Sequence, residues 1–399
     1  MRTTGRAGYD QWLTWKHAAR ARDRMYAAQQ AAEPARADEL DWGDQFLLES
    51  TVEVIAPVAT EVVADFYREL FSRLPGLRQM FPADMAVQQD RLLAALLALV
   101  AGGKDPATIM PTLEQLGRDH RKFGARPAQY RAVGAALISV LSRHAGTSWT
   151  PNVERAWLAR YGAAAHVMMR AAAEDGRPPF WYATIVGHHM CGTDVAILAL
   201  KPHQPYPYRA GQYATLESPR LPRVWRPYSM ASAPRRDHIL EFHIRAIGRG
   251  GLSDELVGSA PGEVVRIGPP QGSVTLASGS GRASLFIAGG TGWSTVKALL
   301  GERARDNRLR FASHLVVGCR PGEPYDPQFD AFVRKLPETG TTLVHSASML
   351  LAELAPSRLP THELDVFLAG PPGLITDVTT QLAAAGVSPA NLHHDSLLG

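Results

Sequence analysis

The sequence predicts a multidomain protein with three parts in order: an all-α domain, an antiparallel β-barrel, and an α/β domain with a doubly wound parallel sheet. Three observations predict this order. Apolar residues recur at helical spacing from Phe46 to about Ala173, short β-rich runs broken by Gly and Pro extend from Trp181 to about Leu276, and strand and helix patterns alternate from Ala283 onward. With 399 residues, the chain also exceeds the usual size of one hydrophobic core.

The first part carries apolar stripes that are typical of packed helices. One stripe follows the i, i+3, i+4 pattern through Val63, Phe66, Tyr67, Leu70, Phe71 and Leu74. A second stripe comprises Leu92, Leu93, Leu96, Leu97 and Val100. Residues 1–44 show little aliphatic pattern and are rich in Ala, Arg and Gln. We therefore expect an N-terminal extension over 1–44 and a helical domain over 45–176.

The second part begins at the Arg177-Pro178-Pro179 segment, where the helical pattern ends. The predicted strands are Ala183–Val186, Val195–Leu200, Gln212–Leu216, Ile239–Ile247 and Val264–Ile267. Short strands at this spacing, with turn residues between them, are typical of a small antiparallel barrel. The sequence predicts this barrel domain over 177–279.

The third part alternates between predicted strands and helices. The pairs are Ser284–Ala288 with Trp293–Arg303, Phe311–Val317 with Asp330–Leu336, and Val366–Ala369 with Leu374–Ala385. Such alternation indicates a parallel sheet covered by helices on both faces. We expect this α/β domain over 280–399.

Composition excludes several classes of protein. The net charge is only +4 and arginine is scattered, which does not favour nucleic-acid binding. Cys191 and Cys319 lie far apart, so they predict neither a disulfide framework nor a zinc site. The chain shows no signal-peptide pattern and no window long and apolar enough for a membrane span. A cytoplasmic protein is the expectation.

One histidine in the helical part has the surroundings of a haem ligand. His120 shares a predicted helix face with Leu113, Leu116 and Phe123. A haem needs apolar walls and one nitrogen to bind its iron, so this face suits an axial ligand. Taken alone, the same pattern also fits a core histidine whose nitrogens are satisfied by hydrogen bonds.

Two longer segments favour the haem interpretation. FYRELFSRLPGLRQMF and HRKFGARPAQYRAVGAAL, which begin at Phe66 and His120, resemble the distal and proximal segments of flavohaemoglobin globin domains. The resemblance implies haem b with His120 on the iron and Phe81 against the macrocycle. It places Tyr67, Gln88 and Leu92 on the distal side, where Tyr67 could donate a hydrogen bond to dioxygen with help from Gln88.

The family also surrounds the proximal imidazole with a tyrosine and a glutamate, which polarise it. Tyr130, ten residues after His120, matches the tyrosine. The position of the glutamate is occupied by Ala172, and the nearest acid is Glu174. Unless Glu174 replaces the missing acid, we expect a weaker electronic push on the iron.

The barrel part carries a flavin motif. Arg226-Pro227-Tyr228-Ser229, preceded by Gly211-Gln212-Tyr213, resembles the RxYS motif of ferredoxin-reductase-like flavoproteins. In that motif Arg226 pairs with the FAD pyrophosphate, Tyr228 packs on the flavin and Ser229 bonds near its N5 atom. Downstream residues resemble the glycine turn that holds the pyrophosphate. The FAD-binding residues predicted in this way are Tyr213, Arg226, Tyr228, Ser229, Gly250, Gly251, Leu252 and Ser253.

The α/β part carries a dinucleotide-binding turn. Gly289-Gly290-Thr291-Gly292 follows a predicted strand and opens a helix, which suits phosphate binding at a helix N-terminus. Gly370-Pro371 resembles the family's CGP motif, with Ala369 in place of the cysteine, and Thr295 replaces a usual proline. At the C-terminus Asp395 and Leu397 stand where the family has a glutamate and an aromatic lid over the flavin. These departures cluster where nicotinamide meets flavin.

The resemblance covers Phe46 to Gly399 and implies an oxidoreductase. A two-electron donor, NAD(P)H, would reduce FAD, FAD would pass single electrons to haem, and dioxygen would react with nitric oxide, giving nitric oxide dioxygenase activity. One alternative keeps both cofactors but takes another donor, such as a 2-hydroxy acid, at the altered flavin site. A second alternative is a haem-based gas or redox sensor that uses residues 1–44 as a partner-binding arm.

Overall fold

The computed structural model describes residues 41–102, 105–248, 250–278, 283–306, 313–318, 325–336, 339–344 and 364–395. Contacts divide the chain into two compact units between Pro179 and Phe180. The boundaries predicted at 44, 176 and 279 remain predictions, and residues 1–40 of the predicted extension lie outside the described part. None of the described helices is both long and apolar enough to cross a membrane.

The first unit is helical, as predicted. Its helices are α1 (Gln45–Ile55), α2 (Ala59–Arg73), α3 (Ala86–Ala101), α4 (Pro106–His120), α5 (Pro127–Ala145) and α6 (Pro151–Glu174). Side-chain oxygens of Asp44, Asp105 and Thr150 accept hydrogen bonds from first-turn N–H groups at the starts of α1, α4 and α6. These caps satisfy donors that have no partner within the helix.

The predicted stripe on α2 lies in the core of this unit. Val63, Phe66, Tyr67 and Leu70 are buried there. The second stripe lies on the helix α3 as predicted, but it is less deeply buried than the first, because Leu92, Leu93 and Leu96 are half-buried and Leu97 is 47% exposed. Helix α3 therefore contributes part of its apolar face to a surface that the helical core does not cover.

Helices α4 and α6 approach each other through a glycine. A Cβ atom built on Gly117 would lie 2.1 Å from the carbonyl oxygen of Met168, far inside van der Waals contact. The main chain of α6 thus packs directly on α4, one turn before His120. Only glycine permits this approach.

The barrel of the second unit is built from β1 (Trp181–Cys191), β2 (Val195–Pro202), β3 (Tyr213–Glu217), β4 (Arg226–Ser229), β5 (Leu240–Arg245) and β6 (Val264–Ile267), with helix α7 (Leu252–Val257). The strands form an antiparallel sheet in the order β4-β3-β6-β1-β2-β5. Strand β1 is longer than predicted. Strand β4 coincides with the RxYS motif and is not predicted as a strand, because a run of four residues that includes Pro227 gives little strand signal.

The α/β part contains β7 (Ala283–Gly289), α8 (Trp293–Arg305), β8 (Ser313–Gly318), α9 (Phe329–Val333), β9 (Thr339–Val344), β10 (Leu364–Ala369), α10 (Pro372–Ala384) and β11 (Leu392–His393). Its parallel sheet has the order β11-β10-β7-β8-β9. The chain runs outward from β7 through β8 and β9 and then crosses to β10, so a topological switch point lies between β7 and β10. The predicted fold class is confirmed, although β9 and β11 were not predicted.

We predict that Gly117→Ala destabilises the protein by about 1–3 kcal/mol, because its methyl group collides with the α6 backbone. Gly162→Ala is the matched control, since a Cβ there would meet no atom within 4 Å. The control should be neutral or stabilising by up to about 1 kcal/mol, as is usual for Gly→Ala inside a helix. Urea unfolding followed by circular dichroism measures both. Equal stability of the two variants would contradict this packing.

Candidate functional site

His120 is the last residue of α4, and its ring is held by its own helix. Its Nδ1 atom lies 2.6 Å from the carbonyl oxygen of Leu116. Because a carbonyl can only accept, Nδ1 carries the proton and the lone pair resides on Nε2. Burial lowers the pKa of His120, which favours the neutral imidazole. A neutral ring with Nε2 available is the form that binds iron.

Tyr130 lies beside this imidazole, with ring centroids 6.0 Å apart. Burial raises the pKa of its hydroxyl to about 12. The Tyr161 hydroxyl donates to the Tyr130 carbonyl over 2.6 Å and so fixes its backbone. Within the described residues, however, the Tyr130 hydroxyl makes no hydrogen bond to His120. Its predicted polarising role therefore remains a prediction.

Glu174, the acid nearest to the position of the missing glutamate, is the last residue of α6. The side chain of Glu174 is 68% exposed, and its recorded ionic partner is Arg170 at 3.9 Å. In the described part of the chain, His120 is hydrogen-bonded by the Leu116 carbonyl and by no carboxylate. Glu174 does not take over as the partner of the imidazole.

Tyr67 forms the polar point of the predicted distal side. Its side chain is 7% exposed and its hydroxyl donates to the backbone carbonyl of Gln88 over 3.1 Å. The rings of Phe71 and Phe81 lie 5.8 Å and 5.6 Å from that of Tyr67. Burial raises the pKa of Tyr67, so the hydroxyl keeps its proton. The structure thus brings Tyr67, Phe81 and Gln88 together, but through the main chain of Gln88.

These residues fit a haem. Leu92 lies one turn after Gln88 on α3 and is half-buried, as are Phe81 and Leu116. Apolar side chains that pack on the core yet keep accessible surface suit the walls of a pocket for a planar apolar macrocycle. Together with the available Nε2 of His120, they supply both requirements of haem binding.

Strand β4 carries the flavin motif at one edge of the barrel sheet. Tyr213 on β3 stands directly opposite Ser229, and Ala214 stands opposite Tyr228. Arg226, Tyr228 and Ser229 are half-buried, and Tyr228 packs on the barrel core. Burial raises the pKa of Tyr228, so its hydroxyl stays neutral. A cation, an aromatic ring and a hydroxyl thus share one half-buried edge strand.

The predicted pyrophosphate turn precedes α7. Gly250 has a φ of +65°, and a Cβ on Gly250 or Gly251 would meet nothing within 4 Å, so a ligand can approach the main chain closely. The Asp254 carboxylate accepts from the N–H groups of Gly248 and Gly251 at 2.8 Å and 3.1 Å. The N–H groups of Gly248 and Gly251 are therefore already bonded to a carboxylate. The edge strand and the open turn fit FAD.

Leu252 and Ser253 contribute less than their neighbours. Leu252 is 3% exposed and belongs to the barrel core, and Ser253 is 8% exposed. The side chain of Leu252 is therefore not available to a ligand. Both residues remain predicted contacts.

The two glycine turns of the α/β part meet at the switch point between β7 and β10. A Cβ on Gly292 would lie 2.2 Å from the carbonyl oxygen of Ala369, and one on Gly370 would lie 3.4 Å from the Gly289 nitrogen. The turn from Gly290 through Thr291 to Gly292 is half-buried and leads into α8, whose first turn has no side-chain cap. Crevices of this kind bind nucleotides in doubly wound sheets.

A buried hydroxyl adds to this fit. Ser294, in the first turn of α8, is 1% exposed, and its Oγ atom has no hydrogen-bond partner in the described structure. Pro371 precedes α10 and is exposed at the opposite side of the crevice. An uncapped helix start with an unpaired hydroxyl fits a dinucleotide phosphate.

Asp395 links the C-terminus to the barrel. Its carboxylate accepts from the N–H of Ser273 over 3.1 Å, and a Cβ on Gly272 would lie 2.5 Å from its other oxygen and 3.0 Å from the Tyr213 ring. Burial raises the pKa of Asp395. Since Tyr213 pairs with Ser229, the structure places Asp395 close to the flavin motif. Leu397 lies outside the described residues.

Sequence reasoning missed a buried ionic cluster. Lys297 on α8 bonds to Glu241 on β5 and to Asp326, and His243 bonds to Glu241 and to Tyr325. The available signal was a lysine within the otherwise apolar run Val296-Lys297-Ala298-Leu299-Leu300. A charge at a core position of a helix predicts a buried partner.

Comparisons with known proteins follow the same division. Residues 64–168 match the globin family model, and residues 183–276 match the model of the oxidoreductase FAD-binding domain. The chain is 28% identical over 299 residues to a flavohemoprotein of Bordetella parapertussis, covering 69% of this chain and 73% of that protein. It is 24% identical over 390 residues to a flavohemoprotein of Bacillus subtilis, covering 88% and 95%.

Solved structures agree on the fold. The flavohemoglobin of Malassezia yamatoensis, determined with bound FAD and heme, has a TM-score of 0.71 at 17% identity and covers 88% of this chain and 97% of its own. A ferredoxin reductase in carbazole 1,9a-dioxygenase has a TM-score of 0.50 at 24% identity, covering 56% of this chain and 71% of its own.

The family matches and the geometry of the residues point to the same cofactors, haem in the helical unit and FAD on the barrel. The α/β part has the fold of the dinucleotide domains of ferredoxin reductases. The chain therefore carries a globin domain followed by an FAD-binding oxidoreductase module, the arrangement of the flavohemoproteins to which it is similar, and it is an oxidoreductase.

Proposed function

We propose that this oxidoreductase is a nitric oxide dioxygenase. The reaction combines nitric oxide, dioxygen and one electron to give one nitrate ion. A two-electron donor therefore supports two turnovers. When bound, haem supplies a one-electron centre that activates dioxygen, and FAD splits the electron pair of the donor into single electrons. The residues of this chain hold these groups and shape the pockets around them.

The observation that carries the proposal is the buried hydroxyl of Tyr67 beside Gln88. Among the apolar side chains that fit the haem, Tyr67 is a neutral O–H donor kept protonated by burial. A donor in an apolar pocket strengthens the retention of a ligand that gains negative charge. His120 serves on the proximal side, with its ring orientation set by the Leu116 carbonyl.

We further propose NAD(P)H as the electron donor. The uncapped start of α8, the unpaired Ser294 hydroxyl and the switch-point crevice support this choice. The first turn binds phosphate, while Asp395 and Ser229 stand near the predicted flavin edge. Ala369 and Thr295 stand where the family has a cysteine and a proline, so the identity of the donor needs a direct test.

Anaerobic mixing of the FAD- and haem-loaded protein with NADH or NADPH tests electron flow. The flavin absorbance should bleach first, and the ferric-to-ferrous shift of the haem should follow, because only FAD accepts a hydride. A panel of 2-hydroxy acids serves as the comparison. Bleaching by an acid, with neither nicotinamide active, would overturn NAD(P)H as donor.

Tyr67→Phe should lower the rate of nitric oxide consumption by about 10- to 100-fold, since a hydrogen bond to a charged group contributes about 1.5–3 kcal/mol. Haem content should stay unchanged, because the phenyl ring retains the packing. Tyr206→Phe is the matched control: it also removes a buried hydroxyl bonded to a backbone carbonyl, that of Gly268 in the barrel. An unchanged rate in Tyr67→Phe, measured with a nitric oxide electrode, would remove the proposed role.

Asp254→Asn should tighten FAD binding several-fold, because it removes a negative charge from the turn that receives the pyrophosphate. Titration of the apoprotein with FAD, followed by quenching of flavin fluorescence, measures the affinity. Glu255→Gln removes one charge from the same helical turn, but Glu255 bonds to Ser218 and Arg220 instead. Equal effects of both variants would show that only general charge matters.

A further inference from the structure

The second unit contains a buried ammonium shared by two carboxylates. The Nζ atom of Lys297 donates to Glu241 and to Asp326, both over 2.8 Å. The side chains of Lys297, Glu241 and Asp326 are 9%, 20% and 0% exposed. Asp326 also accepts from the Trp293 indole over 2.9 Å and from the Gln328 N–H over 2.9 Å. These polar groups are satisfied by one another rather than by solvent.

The three central groups are charged. Burial opposes ionisation of Glu241, but the hydrogen bond from His243 and the charge of Lys297 outweigh it and lower its pKa to about 2. Burial likewise opposes the charge of Lys297, but the carboxylates of Glu241 and Asp326 raise its pKa. Burial lowers the pKa of His243, whose Nδ1 receives the Tyr325 hydroxyl. Lys297 therefore bridges two anions.

The two ends of this bridge belong to the two predicted cofactor elements. Glu241 lies on β5, and its backbone carbonyl accepts a hydrogen bond from the N–H of Ala231 over 2.7 Å. Ala231 follows Ser229 of the flavin motif by two residues. Lys297 lies on α8, five residues after Gly292 of the dinucleotide turn. A short chain of bonds thus runs from the flavin strand through Glu241 and Lys297 to the helix that begins at the dinucleotide turn.

Stability alone does not require such a bridge. Well-packed apolar residues often replace a buried ion cluster without loss of stability, because desolvation of the charges offsets much of their attraction. Unlike apolar packing, an ion bridge is directional, since its charged hydrogen bonds fix the distance and the angle between the bonded groups. Hydride transfer is sensitive to such geometry, and a misplacement of about 1 Å can cost on the order of 100-fold in rate.

We propose that Lys297 is a positioning residue which, through Glu241 and Asp326, holds the start of α8 and its glycine turn at a fixed distance from the flavin strand. Lys297 sets the approach of the nicotinamide ring to the flavin without contacting either. This inference rests on NAD(P)H being the donor, as proposed above.

Lys297→Met keeps the length of the side chain and removes its charge. At saturating NADH or NADPH, the rate of flavin reduction in stopped-flow experiments should fall at least about tenfold, while the FAD content stays unchanged. The charge-transfer absorbance of the flavin–nicotinamide complex should weaken. Lys297→Arg should restore most of the rate. Lys201→Met is the control, because Lys201 is an exposed lysine of the same unit that bonds to the Asp237 carbonyl.

Hydrogen–deuterium exchange of the FAD-loaded protein gives a readout without any donor. Lys297→Met should exchange faster both in residues 240–245 and in residues 289–293, and Lys201→Met should not. A normal rate of flavin reduction together with unchanged exchange at 289–293 would overturn the proposal, even if the melting temperature fell. If neither nicotinamide reduces the wild-type flavin, the choice of donor fails, and the exchange experiment alone then decides the role of Lys297.

Discussion

Direct contact between backbones is the constraint on which both units depend. At Gly117 the main chain of α6 lies against α4, and at Gly292 the carbonyl of Ala369 lies against the start of α8. Each contact precedes a predicted ligand-binding element, the His120 end of α4 in one case and the first turn of α8 in the other. Because backbones are stiffer than side chains, contacts of this kind define where a ligand group is presented.

In the helical unit, backbone carbonyls serve as hydrogen-bond partners for the polar side chains. His120 bonds to the carbonyl of Leu116, and Tyr67 bonds to that of Gln88. Both partners are neutral, so the pocket gains orientation without a fixed negative charge. Ala172 and the exposed Glu174 agree with this arrangement, since neither offers a carboxylate to the imidazole.

The sequence predicted what local patterns encode. Helix α2, the strand-to-turn context of Gly289–Gly292 and the flavin motif were recognisable because their spacing reflects local geometry. Lys297 and Glu241 were not recognisable as a pair, because they are 56 residues apart and meet only through the tertiary fold. For the same reason, the sequence suggested a role for the side chain of Gln88, whereas the structure uses its carbonyl. Asp254, too, revealed its bonds to the glycine turn only in three dimensions.

The bond between Tyr67 and Gln88 has a consequence for the choice among gases. The Tyr67 hydroxyl can donate only one hydrogen bond. A bound gas molecule that accepts this bond therefore leaves the Gln88 carbonyl without its donor, at a cost of about 1–3 kcal/mol if no water replaces it. A ligand that becomes strongly polarised on binding offsets this cost through a stronger hydrogen bond from Tyr67, while a weakly polar ligand of the same size does not. The helical unit would then select its ligands by the charge that they acquire on binding rather than by their size.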